Sequence, residues 1–84
     1  MAAVVIYSTH HCGYCSRAKQ LFERKQVAFT EIMVDQQPAE RATMVERSGR
    51  RTVPQIFIGE RHVGGFEELY ALERSGELDA LIAS

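Results

Sequence analysis

Hydrophobic and polar positions follow two different periods along this chain. Val4-Val5-Ile6-Tyr7 is a short, β-rich apolar run, the pattern of a strand covered on both faces. Ser8 to His11 then turn the chain. From about Tyr14 to Lys25 the period lengthens: Ala18, Leu21, Phe22 and Lys25 recur at i, i+3, i+4 and i+7, with Arg17, Gln20 and Arg24 on another face, which predicts a helix. Val27 to Val34 reads as a second strand. A helix crossing between two strands makes a βαβ unit, so these two strands are expected to be parallel. A second helix is expected from Pro38, a residue suited to the first helical position, to Arg47 or Ser48, stopping at Gly49. Gln55-Ile56-Phe57-Ile58 and Arg61-His62-Val63 read as antiparallel strands joined by Gly59-Glu60, with glycine first as a type II′ turn requires. Gly64-Gly65 leads into a third helix from Phe66 to about Ser75, with Glu67 and Glu68 in its first turn and Gly76 after its end. Leu78 to Ile82 reads as a last short helical turn over the core. The order is β-α-β-α-β-β-α, an α/β fold. Phe22, Phe29, Phe57, Leu69 and Leu72 are expected in the core, Tyr70 packed with them, and Met33 and Met44 as fillers.

Composition narrows the class. Eighty-four residues are expected to form one domain, 1–84, burying roughly 60–65% of the unfolded surface. A net charge of −1 and a pI near 6.3 give no general attraction to nucleic acid or to an anionic membrane surface. Apolar runs fall far short of the ~20 residues of a membrane span. Met1-Ala2-Ala3 carries no basic segment before the first strand, so no signal peptide is expected and the expected location is cytoplasmic.

The chemistry concentrates in Cys12-Gly13-Tyr14-Cys15, which holds both cysteines of the chain. A thiol at the first turn of a helix faces unpaired backbone N–H groups and the positive end of the helix dipole. Both favour the thiolate, the nucleophilic form. A second thiol one turn along can attack a mixed disulfide formed by the first. In a reducing compartment one CxxC reads as a working dithiol rather than a structural staple. Zinc is a rival reading, since His11, Cys12, Cys15 and His62 are ligand types, but structural zinc calls for a second close-spaced pair. Covalent haem requires histidine after the second cysteine, and Ser16 stands there.

Four segments in this order resemble the glutaredoxin branch of the thioredoxin-like fold: Cys12-Gly13-Tyr14-Cys15, Arg47-Ser48-Gly49-Arg50, Thr52-Val53-Pro54-Gln55-Ile56-Phe57-Ile58 and Gly64-Gly65-Phe66-Glu67-Glu68-Leu69. The likeness covers essentially the whole chain and is nearest to the small bacterial dithiol type. It implies a four-stranded mixed sheet with flanking helices. It implies a glutathione-dependent thiol–disulfide oxidoreductase with Cys12 as nucleophile and Cys15 as resolving thiol, acting on glutathionylated or disulfide-containing proteins such as ribonucleotide reductase. Glutathione is the implied co-substrate and no resident metal is expected. The implied glutathione site is Tyr14, Arg50, Thr52, Val53, Pro54, Gly65, Phe66 and Glu67. In it a cis Pro54 presents the Val53 backbone, the head of the third helix holds a carboxylate, Glu67 or Glu68 takes the ammonium, and Arg50 or Arg51 takes the glycine carboxylate.

The chain departs from the family pattern in four places. Gly13 replaces proline, and Thr9 replaces a lysine whose charge His10, His11 or Arg17 could partly restore. Glu67-Glu68 replaces Asp-Asp, and Arg51 replaces a smaller polar residue, adding charge near the groove. A motif like CGYC also occurs in glutaredoxins holding a [2Fe–2S] cluster between two subunits, so Cys12 as a cluster ligand in a dimer is the alternative to a monomeric reductase.

Overall fold

The computed structural model describes residues 1–84. Its elements are β1 (Val4–Ser8), α1 (Gly13–Arg24), β2 (Thr30–Met33), α2 (Pro38–Ser48), β3 (Gln55–Ile58), β4 (Arg61–Gly64), α3 (Phe66–Ser75) and α4 (Glu77–Ala83). The sheet order is β2-β1-β3-β4. Strands β1 and β2 pair in parallel, with Val5 opposite Thr30, as a βαβ unit demands. Strand β3 runs antiparallel to β1 and to β4. The β3–β4 loop has Gly59 at φ 60° while Glu60 stays at negative φ, as the type II′ expectation requires. The β3–β4 register slips between Ile56 and Phe57, a bulge that ends at Gly64.

The sheet is covered on both faces. Val4, Ile6, Ile56 and Ile58 point to one face and pack with Ala18, Leu21 and Phe22 of α1, Leu69 of α3, and Leu78 and Ile82 of α4. Tyr7 and Phe57 point to the other and pack against Met44 of α2 and Val34. Alternation of side chains along β1 and β3 thus divides the core in two. Phe22 and Met44 have no exposed surface, and each such side chain contributes about 1.5–3 kcal/mol by burial. Arg47 fastens α2 to the sheet: it donates to the Tyr7 hydroxyl at 3.0 Å and lies 4.0 Å over the Phe57 ring. Lys25, at the end of α1, reaches Glu73 of α3 at 2.7 Å and Asp79 of α4 at 2.9 Å.

Several expectations change. The second strand is Thr30–Met33, without Val27 to Phe29: Gln26 turns at φ 59° and the Val27 N–H bonds back to Phe22 O at 2.9 Å. Val27 and Phe29 instead pack half-buried against the core as a connector. The last turn is a seven-residue helix, α4, held by Leu78 and Ile82 one turn apart, so the order ends in two helices. Gly76, at φ 81°, closes α3 and opens α4, a left-handed position that suits glycine. Tyr70 does not join the core; it is 39% exposed, while Leu72 is half-buried. Helix α2 ends as expected, at Gly49 with φ 72°.

Candidate active site

The loop after β1 sets the aim of the cysteines. His11 takes φ 59°, and the His10 N–H and ring Nδ1 both reach Asp35 Oδ2, at 3.0 and 2.9 Å. The pair holds the Asp35 carboxyl below its usual range, through the backbone N–H first and the imidazole second. His10 is therefore committed to the end of β2, and Arg17 lies 5.7 Å over the Tyr14 ring.

Cys12 is the N-cap of α1, in extended conformation at φ −105° and ψ 108°. Its sulfur accepts from the Cys15 N–H at 3.2 Å, satisfying one of the free donors of the first turn. Val53 O lies 4.0 Å from Cys12 Sγ. Cys15, three residues on, points into the protein and is 1% exposed, whereas Cys12 is half-buried. Burial pushes the Cys15 thiol up to about 11, and the hydrogen bond and charge of Cys12 add to it. The Thr9 backbone and the Ser8 hydroxyl pull the other way. Ser8 Oγ is itself buried and makes no hydrogen bond of ordinary length. The pair thus consists of one reachable sulfur and one sheltered, protonated one.

A groove of about 230 Å³ lies beside them. It is lined by Tyr14, Arg50, Thr52, Val53, Pro54, Gly65, Phe66 and Glu67, all eight residues that the sequence nominates for glutathione, together with Gln55 and Glu68. The Val53–Pro54 bond is cis. Val53 lies outside the strands, and its N–H has no backbone partner. Gln55 braces this segment from below: its Nε2 donates to Thr52 O at 3.0 Å and to Thr52 Oγ1 at 3.2 Å, and its Oε1 meets His62 Nε2 at 2.7 Å. Burial first, then the Arg50 charge, lowers the His62 pKa. That ring, stacked 4.9 Å from Phe57, serves the brace. Gln55 follows the proline motif directly, yet nothing in the sequence marks its partner seven residues on.

The far wall is the head of α3. Glu68 turns back to accept from the Gly65 N–H at 2.6 Å and from Arg50 Nη1 at 3.5 Å. The first of these contacts chiefly holds its carboxyl below the usual range. A side chain at Gly64 would bring its Cβ to 2.7 Å from Glu68 Oε1, on backbone at φ 119°, so that turn requires glycine. Glu68 is spent on capping, and Glu67 is the acidic side chain free in the groove. Arg51 is a correction to the sequence reading. It lines a separate depression with Pro38, Arg41, Val45 and Glu46 of α2, because the chain turns over between Arg50 and Thr52; only Arg50 faces the groove.

Known proteins share the sequence and the fold of this chain. The glutaredoxin family model matches residues 4–63. The chain is 56% identical over 84 residues to a glutaredoxin of Pseudomonas aeruginosa, covering 100% of both chains. It is 51% identical over 82 residues to glutaredoxin 3 of Escherichia coli, covering 98% of this chain and 99% of that one. Among solved structures, a buckwheat glutaredoxin–glutathione complex superimposes with a TM-score of 0.89 at 35% identity, covering 98% of this chain and 77% of the other. With a thioredoxin-like sheet, a CxxC motif at the head of α1 and these relatives, the chain belongs to the glutaredoxin family of thiol–disulfide oxidoreductases.

Proposed function

We propose that this chain reduces protein–glutathione mixed disulfides and protein disulfides at the expense of glutathione, with Cys12 as nucleophile and Cys15 as resolving thiol. The observation that carries this reading is the groove beside Cys12, which offers a complementary group for each part of glutathione. The free backbone of Val53 suits the cysteinyl segment of the tripeptide. First-turn N–H groups at Phe66 and Glu67 suit the γ-glutamyl carboxylate. The Glu67 carboxylate suits the ammonium, and Arg50 suits the glycine carboxylate. Tyr14, Thr52, Pro54 and Gly65 complete the walls. The buckwheat relative is itself a glutathione complex.

In the first step the Cys12 thiolate attacks the glutathione sulfur of a mixed disulfide. The protein thiolate leaves and takes a proton, and Cys12 carries glutathione. A second glutathione thiolate attacks that glutathione sulfur, releasing oxidised glutathione and restoring Cys12. With a protein disulfide, Cys12 bonds one substrate sulfur and the other leaves. Cys15, losing its proton, then attacks Cys12 Sγ and expels the substrate thiolate. Two glutathione molecules reduce the resulting Cys12–Cys15 disulfide. One domain working as a monomer in a reducing cytoplasm suffices for both routes.

The test is a glutathione-coupled assay on a glutathione mixed disulfide. The native chain and Cys15→Ser turn over, and Cys12→Ser is inactive; native activity in Cys12→Ser refutes the assignment. Turnover with thioredoxin reductase but not with glutathione would move the reductant instead. A second reading rests on Gly13, which takes the place of the family's usual proline and whose α-carbon faces open space. No three His, Cys, Asp or Glu side chains converge in one chain, so a [2Fe–2S] cluster would take Cys12 from each of two copies and glutathione for the rest. Anaerobic reconstitution that gives a colourless monomer counts against that reading.

A further inference from the structure

Three large apolar side chains of this protein are exposed, Met1, Tyr14 and Tyr70, and two of them belong to one aromatic row. Tyr14 stacks on Phe66 at 6.0 Å between ring centres, and Phe66 stacks on Tyr70 at 5.6 Å. The row starts in the groove wall, where Tyr14 and Phe66 stand, and runs out along α3 to Tyr70, which does not line the groove. A guanidinium caps each end: Arg17 lies 5.7 Å over Tyr14 and Arg74 lies 5.3 Å over Tyr70. Neither arginine has an ion-pair partner, for the chain's pairs are His10–Asp35, Lys19–Glu31, Lys25–Glu73, Lys25–Asp79 and Arg50–Glu68. Two acidic side chains of α3 are thus taken, Glu68 by Arg50 and Glu73 by Lys25; Glu67 remains free, on the groove side.

The row has no structural task that its exposure would serve. Leu69 and Leu72 provide the inward face of α3, one buried and one half-buried. Exposed rings with unpaired guanidinium groups are the composition of protein recognition surfaces. Their charge selects the partner. We infer that the Tyr14–Phe66–Tyr70 row with Arg17 and Arg74 is the docking face for the polypeptide of a substrate, and that it favours acidic and aromatic residues flanking the reacting cysteine. This rests on the proposed glutathione-dependent reduction, and gives that site its protein specificity. Glutathione fills the groove; the chain attached to the other sulfur leaves over the open side, along the row.

The experiment uses three substrates. One is a small-molecule glutathione mixed disulfide. The other two are glutathionylated peptides of equal length, with acidic and aromatic or with basic residues beside the cysteine. The native chain is expected to show kcat/KM about tenfold higher for the acidic peptide at low ionic strength, a preference that shrinks with added salt. Arg74→Glu is expected to erase the preference through KM, leaving kcat and small-substrate turnover unchanged, and Arg74→Lys to restore most of it. Tyr70→Ala is expected to weaken the acidic, aromatic peptide alone. Native turnover of all three substrates without preference overturns the docking face and leaves the glutathione reading standing. Equal losses on the small substrate and the peptides in Arg74→Glu also overturn it. Absence of turnover even on the small substrate overturns both.

Discussion

The two thiols should differ in reactivity by an amount that the structure allows to be worked out. Cys15 sits at about 11, against an ordinary value of 9.0. At pH 7 its thiolate fraction is then about 1 in 10⁴, about a hundredfold below that of an ordinary thiol. A more basic thiolate is a better nucleophile, with a Brønsted slope near 0.45, which returns about eightfold. The chemistry alone therefore makes Cys15 about tenfold slower than an ordinary thiol towards an alkylating agent. Its 1% exposure slows it further, whereas Cys12 is open to reagent. Brief iodoacetamide labelling of the reduced chain, read by mass spectrometry of the separated peptides, should find Cys12 modified and Cys15 nearly untouched at pH 7. Cys15 labelling should climb steadily with pH and level off only near 11. In Cys12→Ser the hydrogen bond and charge of Cys12 are gone while burial, the largest cause, remains. Cys15 should label faster there, yet stay slower than a free thiol. Equal labelling of both cysteines at pH 7, or a Cys15 midpoint below 9, would refute the reasoning. The same shift sets a stability trend. The folded value lies above the unfolded one, so the contribution is complete below pH 9 and is lost as pH rises through about 11.

Other expected outcomes follow from single contacts. Lys25→Met removes the link from α1 to α3 and α4. With Lys25 17% and Asp79 76% exposed, screening limits the loss to about 1 kcal/mol, a fall of about 4–8 °C in Tm by calorimetry. The Glu73 carboxylate, and then that of Asp79, raise the Lys25 pKa, so this contribution is present at neutral pH and disappears only above the ordinary lysine range. Glu68→Ala uncaps Gly65 and should lower stability by about 0.5–2 kcal/mol in urea titration; it should also raise the KM for glutathione by freeing the Gly64–Gly65 turn. Because its pKa is depressed, the Glu68 contribution is present above the unfolded carboxylate range and is lost as pH falls through the folded value, so native and variant stabilities converge in acid. Phe22→Ala empties a fully buried position and should lower stability by about 3–5 kcal/mol, enough to leave much of so small a domain unfolded by circular dichroism.

Much of the fold and the candidate site was legible because it follows local rules. Gly49 and Gly76 mark left-handed helix ends, Pro38 a helix start, and Gly59 a hairpin. The continuous apolar run Val4-Val5-Ile6-Tyr7 marks a strand covered on both faces. The groove residues were readable as four short motifs, and the topology brings their segments to one end of the sheet. What escaped depends on how turns and packing place residues in space, which no sequence pattern records. Val27-Ala28-Phe29 has strand composition, but the bond from Val27 to Phe22 O takes its N–H out of the sheet. Arg50 and Arg51 are equivalent in sequence, and the turn before Thr52 sends them to different faces. Tyr70 has the apolar spacing of its helix, yet sits one step around from Leu69 and ends outside the core. The brace of Thr52 by Gln55 and His62 relies on strand pairing, and so leaves no local pattern.

The division of labour between the cysteines follows from where helix α1 begins. With Gly13 as its first residue, Cys12 is the cap and Cys15 the third helical residue. The cap residue has extended backbone, which keeps Cys12 out at the loop end, while Cys15 is already fixed in helical geometry and faces the strands with Ala18 and Phe22. Moving the helix start by one residue would break this relation: the Cys15 N–H would no longer meet the Cys12 sulfur, and the second thiol would rotate by about 100° about the helix axis. The anchors for that start lie outside the motif, in His11 at positive φ and in the His10–Asp35 contact that holds the loop against the end of β2. A redox motif of four residues thus obtains its one exposed and one sheltered sulfur from the loop before it, and the groove beside it from segments forty and fifty residues away.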